Sequence, residues 1–248
     1  MSDELIFVSG ASSDIGLTLI RQLAGKPDAP RILAHCHSGA DRLEELRQQL
    51  LTPEKLITLP CDFQRETEVR ALADRILKEF GCPTGVVHLP GLKLVYERFT
   101  KFNWTHFEGD LAVQLRSAIV LLGRLLPPMS KLPRARVVFL LSSVTRGTPP
   151  KFLSMYNVVK YAQLGLVRSL ASEYAGVGLT INSVSAGMVE TRFLDNVPGI
   201  VREMSAAASP KGRNATPAEV AAAIAFLLSP DASYIHGADL PVTGGAVY

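Results

Sequence analysis

The sequence predicts an α/β chain built on a single doubly wound parallel sheet of about seven strands, with helices on both faces. Three observations predict it. Short apolar runs alternate with stretches of helical periodicity along the whole chain. The runs are apolar on consecutive residues, as strands buried on both faces are. The first run passes through a Gly/Ser turn directly into a helix, the way a βαβ unit begins.

The elements follow in order. Leu5 to Val8 is a buried strand, and Ser9-Gly10-Ala11-Ser12-Ser13-Asp14 breaks it. Ile15, Leu19, Ile20 and Leu23 recur at helical spacing until Gly25 and Pro27 end the helix. Arg31 to Cys36 is a second strand and Asp41 to Leu51 a helix. Leu56 to Leu59 is a third strand. Thr67 to Phe80 is amphipathic, with Val69, Leu72, Ala73, Ile76, Leu77 and Phe80 on one face, and Gly81 stops it. Val86 to Leu89 is a fourth strand, followed by a long helix from Trp104 to Leu126 stopped by Pro127 and Pro128. Val137 to Leu141 is a fifth strand, Ser154 to Tyr174 a helix, and Thr180 to Val184 a sixth strand. Pro217 opens a helix to Leu228 behind the N-cap Thr216, and Asp239 to Val242 is a last strand. Right-handed crossovers make this a Rossmann-type sheet, with ligands expected at the carboxyl ends of its strands.

Composition limits the rest. At 248 residues with 47% hydrophobic and 20% charged content, the chain can bury a large core, and one domain spanning 1–248 is expected. The net charge of +3 is scattered, which disfavours nucleic-acid binding. Cys36, Cys61 and Cys82 match no zinc or redox spacing and read as buried thiols, and no metal site is expected. The apolar stretches are short, and Arg124 interrupts the one from Ala118 to Leu126, so no membrane span is expected. The start, Met-Ser-Asp-Glu, lacks a secretory pattern, and a cytoplasmic protein is the default expectation.

The first loop is placed to hold a phosphate. A strand-to-helix turn presents backbone N–H groups and the positive end of a helix dipole. Gly10 permits the turn and Gly16 close helix–sheet packing, but two glycines alone are weak evidence. Asp14 reads as an N-cap or first-turn acid whose side chain points away from a pyrophosphate. After the second strand, Ala34-His35-Cys36-His37-Ser38-Gly39 carries no acid before Asp41. An acid there would bond a ribose 2′-OH. Here His37 and Ser38 can donate to a 2′-phosphate, with Arg42 nearby, which favours NADP over NAD. His37 also reads as an ordinary exposed loop histidine. Residues 192–215, rich in Ala, Pro and Gly, read as a lid or as a surface excursion.

Tyr156 and Lys160 share a helix face. That spacing means little by itself. Its position does more, because the pair opens the helix after the fifth strand, and Ser142-Ser143 closes that strand. A nearby ammonium lowers a phenol's pKa, which suits Tyr156 to general acid/base work. The hydroxyl of Ser143 suits a carbonyl oxygen that gains negative charge.

Over nearly its whole length the chain resembles the short-chain dehydrogenase/reductase family, and within it the β-ketoacyl-acyl-carrier-protein reductases. The resemblance rests on Ser9 to Gly16, Cys61-Asp62-Phe63, Ser143, Tyr156-x-x-x-Lys160, Ile181-Asn182-Ser183-Val184 and Pro241-Val242-Thr243-Gly244-Gly245. It implies hydride transfer between NADP(H) and a carbonyl, with Tyr156 supplying the proton, Ser143 orienting the substrate, and Lys160 holding the ribose and tuning Tyr156. It implies cofactor contacts at Gly10, Ser12, Ser13, Ile15, Gly16, His37, Ser38, Asp62, Phe63, Gly91, Tyr156, Lys160, Gly187, Val189 and Thr191. It also implies a homodimer or homotetramer packed through the helices that start near Trp104 and Ser154.

The chain departs from the family pattern at Asp14, at His88-Leu89-Pro90 for Asn-Asn-Ala, and at Ala186 for Pro. Gln114 stands where the family has an Asn that holds a proton-relay water. These departures suggest a specialised or slow enzyme, or one paired with an active homologue in a hetero-oligomer. Arg134 and Arg136 are candidate contacts for an acidic acyl carrier protein, although such charges are more often a solvated loop. Met188, Phe193, Leu194, Val197, Ile200, Val201 and Met204 make residues 188–209 an apolar, mobile substrate lid. It suits an acyl chain, and a steroid or small ketone almost as well. An enoyl reductase is disfavoured, because those relatives space Tyr and Lys more widely. The expected activity is NADPH-dependent reduction of a β-ketoacyl thioester, with dehydrogenation of a free small alcohol as the alternative.

Overall fold

A computed structural model describes residues 4–25 and 28–247. Pro27, expected to help end the first helix, and the chain's first three residues lie outside the described residues. The strands are β1 (Leu5–Ser9), β2 (Arg31–Cys36), β3 (Leu56–Pro60), β4 (Gly85–His88), β5 (Ala135–Ser142), β6 (Leu179–Ala186) and β7 (Asp239–Val242). They form one sheet in the order β3-β2-β1-β4-β5-β6-β7, and every pair is parallel. The order reverses between β1 and β4, where the crossover helices change faces and a crevice opens.

The helices are α1 (Asp14–Ala24), α2 (Ala40–Gln48), α3 (Glu66–Arg75), α4 (Trp104–Asp110), α5 (Ser117–Met129), α6 (Ser154–Glu173), α7 (Gly199–Ala208) and α8 (Pro217–Leu228). Two apolar layers show why they pack where they do. On one face of the sheet, Phe7, Val137, Phe139 and Ile181 meet Val69, Leu72, Leu121, Leu125 and Val167 from α3, α5 and α6. On the other, Val8, Ile32, Val138 and Val184 meet Leu19, Ile20, Val220 and Ile224 from α1 and α8. Alternate residues of each strand thus feed opposite layers, and this is why the strands read as unbroken apolar runs.

Three expectations need correction. Pro127 and Pro128 do not stop the long helix, which runs through them to Met129. A proline ring clashes with the carbonyl four residues back. For Pro127 and Pro128 those carbonyls belong to Gly123 and Arg124, and the helix carries both prolines in its last turn. The turn then closes behind the prolines, because Ser130 N–H donates to Leu126 O at 2.8 Å. Second, α4, a π-helical stretch (Leu111–Arg116) and α5 form one 26-residue helix, long and apolar enough to cross a membrane by length and composition. Here Leu121, Leu122, Leu125, Leu126 and Met129 of that helix are core residues. Third, residues 192–215, for which the sequence predicts no regular element, hold a 3₁₀ turn (Arg192–Leu194) and α7.

Candidate active site

The cleft lies at the carboxyl ends of β1, β4, β5 and β6, with a volume of about 640 Å³. It is lined by Gly10, Ser12, Ser13, Ile15, His37, Ser38, Asp62, Phe63, Gly91, Gln114, Ser143, Tyr156, Lys160, Gly187, Val189 and Thr191. Gly16 sits behind the loop. Its Cβ would stand 2.5 Å from Ala11 O, so only glycine lets α1 approach there. Gly10, at φ +71°, has a comparable role, since its Cβ would lie 2.9 Å from Pro90 N.

The N-cap of α1 is Ser13, whose hydroxyl accepts from Gly16 N–H at 3.1 Å. Asp14 is the first helical residue, and its carboxylate does not point away. It accepts from Arg42 at 2.6 Å and from Arg192 N–H at 2.8 Å. Two cationic side chains, Arg42 and Arg192, therefore offset the one charge that would repel a pyrophosphate. Arg42 also donates to Ser12 O, so it braces the loop.

Two buried histidines support this end. Nδ1 of His35 accepts from Gly10 N–H at 3.1 Å, so Nε2 carries the proton and donates to Cys61 O. Its ring stacks on Phe63 at 3.7 Å. His88 donates from Nε2 to Gln114 O at 2.9 Å and accepts at Nδ1 from Ser9 Oγ at 2.9 Å. Burial holds both neutral, with His35 lowered to about 4 and His88 to about 3. The departure at residue 88 thus ties β1, β4 and the π-helical turn together.

At the far end, α6 carries Tyr156 and Lys160 against the end of β5. Ser142 and Ser143 both line this end of the cleft, where β5 gives way to a 3₁₀ turn (Ser143–Thr145), and the Ser142 hydroxyl pulls the Tyr156 phenol downward. Phe152, just before α6, sits at φ +67° and packs its ring on Tyr96. Burial pushes the Tyr156 phenol up to about 12, with Asp110 adding to the rise and Ser142 opposing it. The expected lowering by Lys160 is not realised in this arrangement. Its Nζ stands 5.7 Å from the ring centroid and is bonded to Leu140 O and Gln163 Oε1. Burial in turn lowers Lys160 to about 8, against a smaller upward pull from Asp110.

Gln114, expected to hold a relay water, lines the cleft, and its backbone carbonyl accepts from His88 Nε2 and from Gln163 Nε2. Its side-chain amide donates to Asp110 at 2.8 Å, and its Oε1 is buried without a partner. Sequence reasoning missed Ser142, Asp110, Gln163 and Arg192. Ser142 had a signal, as half of a serine pair. Asp110 and Gln163 have side-chain partners one helical turn away, Gln114 and Lys160, at a spacing common to any helix, and the Arg192 backbone meets Asp14 from 178 residues away.

Arg134 and Arg136 are not at the mouth of the cleft. They flank the amino-terminal end of β5, about 20 Å of strand from Ser142. Arg134 pairs with Glu4, and Arg136 is 4% exposed and donates to Ala135 O. The substrate wall is apolar: Leu94, Leu153, Leu194 and Val197 pack with Tyr96, Tyr156, Met188, Phe193 and Val201. Ile200 and Met204, expected to join it, are 61% and 64% exposed.

These residues fit an extended nicotinamide dinucleotide. The first N–H groups of α1, which lack carbonyl partners within the helix, lie at one end. Lys160 and the orphaned Gln114 Oε1 lie at the other.

A family model described as enoyl-(acyl carrier protein) reductase matches residues 10–247. The chain is 30% identical over 244 residues to cis-4-hydroxycyclohexanecarboxylate dehydrogenase of Sinomonas cyclohexanicum, covering 98% of this chain and 96% of that protein. It is 28% identical over 243 residues to acetoacetyl-CoA reductase of Allochromatium vinosum, covering 97% of each. The crystal structure of levodione reductase superposes with a TM-score of 0.88 at 26% identity, covering 99% of this chain and 98% of that one.

Proposed function

The chain belongs to the short-chain dehydrogenase/reductase family, oxidoreductases that bind nicotinamide cofactors and act on CH–OH groups, and from that premise we propose that it is an NADPH-dependent ketoreductase of β-ketoacyl thioesters. The meeting of Tyr156, Ser142 and Lys160 at one apolar-walled end of a dinucleotide-sized cleft carries this reading. The relative that reduces acetoacetyl-CoA supports the substrate class. The absence of an acid between His35 and Gly39, with Arg42 beside Ser12, supports NADPH. The four-residue spacing of Tyr156 and Lys160 favours ketone reduction over the double-bond reduction in the family model's description.

The bound cofactor would supply a hydride to the carbonyl carbon. Tyr156 Oη donates its proton to the carbonyl oxygen, and a C–H and an O–H bond replace the C=O π bond. The high pKa of the phenol keeps it protonated and ready to donate at neutral pH. Ser142 Oγ is placed to hydrogen-bond the same oxygen as charge develops. The Leu94–Leu153–Leu194–Val197 wall holds the acyl chain and excludes water.

A second reading is a dehydrogenase of a free small alcohol. The position of Arg134 and Arg136 favours it, because the basic patch expected for an acidic carrier is buried or paired, away from the cleft. The sequence relative that oxidises a hydroxylated cyclohexane carboxylate also favours it. We further propose that the chain works in the cytoplasm and associates with itself.

The test is NADPH oxidation with acetoacetyl-CoA, with a cyclic ketone, NADH and Tyr156→Phe run alongside. The reading expects turnover with NADPH and the thioester, lowered at least about a hundredfold in the variant. Turnover of the cyclic ketone alone would establish the second reading. NADPH binding without turnover of either would point to a subunit that needs an active homologue.

A further inference from the structure

Lys160 is buried, and the structure shows what holds it. Nζ donates to Leu140 O at 3.2 Å and to Gln163 Oε1 at 3.0 Å. Gln163 lies one turn further along α6 and is 1% exposed. Its other end, Nε2, donates to Gln114 O at 2.9 Å. That carbonyl also accepts from His88, so both of its lone pairs are used. Both ends of a single amide are therefore satisfied: one on the ammonium, the other on the π-helical turn between α4 and α5. Behind the ammonium stands protein rather than an open channel.

We propose that Gln163 is a positioning residue for proton transfer, its amide fixing Lys160 against the Gln114 carbonyl and so setting the charge presented to Tyr156. The inference rests on Tyr156 and Lys160 being the proton-transfer pair. An ammonium that loses one of two buried acceptors is less well solvated, so its neutral form gains. The titratable groups around Nζ are Tyr156 on its own helix, Asp110 on α4 and His88 on β4. Asp110 favours the charged lysine, while burial opposes it and already brings Lys160 to about 8. Gln163 is the neutral acceptor that touches it directly.

The sign follows. Gln163→Leu removes the acceptor, so Lys160 titrates at lower pH. Lys160 is then neutral over a wider pH range and presents less positive charge to the cleft. Gln163→Glu keeps an oxygen on Lys160 and adds a charge, so Lys160 titrates at higher pH. A residue that merely filled space would leave both titrations in place.

The experiment is an NMR pH titration of lysine ¹³Cε resonances in the whole protein, with Lys160 assigned by Lys160→Arg. Wild type, Gln163→Leu and Gln163→Glu are compared, and circular dichroism checks the fold. The expected result is a midpoint lowered by about one pH unit in Gln163→Leu and raised in Gln163→Glu. If Gln163→Leu does not fold, the upward shift in Gln163→Glu carries the test alone. Unmoved midpoints in folded variants overturn the proposal. No substrate is needed, so failure of thioester reduction does not obscure the outcome. Shifted midpoints with full turnover in Tyr156→Phe would instead overturn the assignment of the proton-transfer pair.

Discussion

Single residues set both the chemistry and its pH limits. Ser142 and Ser143 are neighbours that both line the cleft, and the Ser142 hydroxyl is the one that pulls the Tyr156 phenol downward. We expect Ser142→Ala to lower kcat about a hundredfold and Ser143→Ala to change it less than about fivefold, read in the same reductase assay. The reverse order would return the role to Ser143. The buried histidines make a separate prediction about stability. His35 and His88 are neutral in the fold, at about 4 and about 3 against an ordinary 6.5. Their folded-state pKa values lie below the unfolded one, so their contribution is complete above pH 6.5 and is lost as pH falls. Each then removes up to about 1.4 kcal/mol of stability per pH unit. Urea unfolding at pH 7.0, 6.0 and 5.0 should show this fall before most carboxylates titrate. His88→Asn should reduce the slope by about half, and an unchanged slope would contradict the assignment.

At the scale of elements, the 192–208 segment is tied to the start of α1 by a carboxylate. Asp14 opens α1, and its Oδ2 accepts from Arg192 N–H, the start of the 3₁₀ turn that leads towards α7. Leu94 N–H, donating to Phe193 O at 3.3 Å, and the Lys93–Asp195 pair hold the same turn from the other side. Asp14→Ala should speed amide exchange across 192–208 about tenfold, measured by hydrogen-exchange mass spectrometry, with the amides of β5 unchanged. Uniform acceleration would instead mean global destabilisation. This tie also shows where sequence reading ends. The seven strands, the glycine turn and the Thr216 N-cap were legible because each rests on local periodicity or capping chemistry. The role of Asp14 was not, since its partners lie 28 and 178 residues away. α7 escaped for a local reason. It starts behind Pro198 with Gly199, has no side-chain cap, and leaves Ile200 and Met204 in solvent, so neither caps nor a buried apolar stripe announce it. The run-on through Pro127 was hidden for a third reason: proline reads as a helix stop, whereas here Pro127 and Pro128 fall in the last turn before Met129.

For the whole molecule, the remaining question is what covers the outer faces of α5 and α6. Most exposed apolar side chains are scattered, as on any surface. Ile119 on α5 and Val158 and Tyr161 on α6 differ, each about half exposed on helices that bracket the catalytic residues. The inner sides of these helices are committed to the core through Leu121, Leu125, Leu164 and Val167. The outer sides therefore offer apolar area that water does not favour, and a second copy of the chain would bury the same patch symmetrically. Such an interface would also brace Tyr156 and Lys160, which lie on the first turns of α6. Association and catalysis should then be lost together. Sedimentation velocity at micromolar concentration should give a dimer or tetramer for the native chain. Ile119→Glu combined with Val158→Glu should weaken association about a hundredfold or more, because it buries unpaired like charges on both copies. Activity should fall with dilution in the variant at concentrations where the native protein keeps its rate. A native chain that sediments as a monomer at full activity would show that the α5–α6 face has another use.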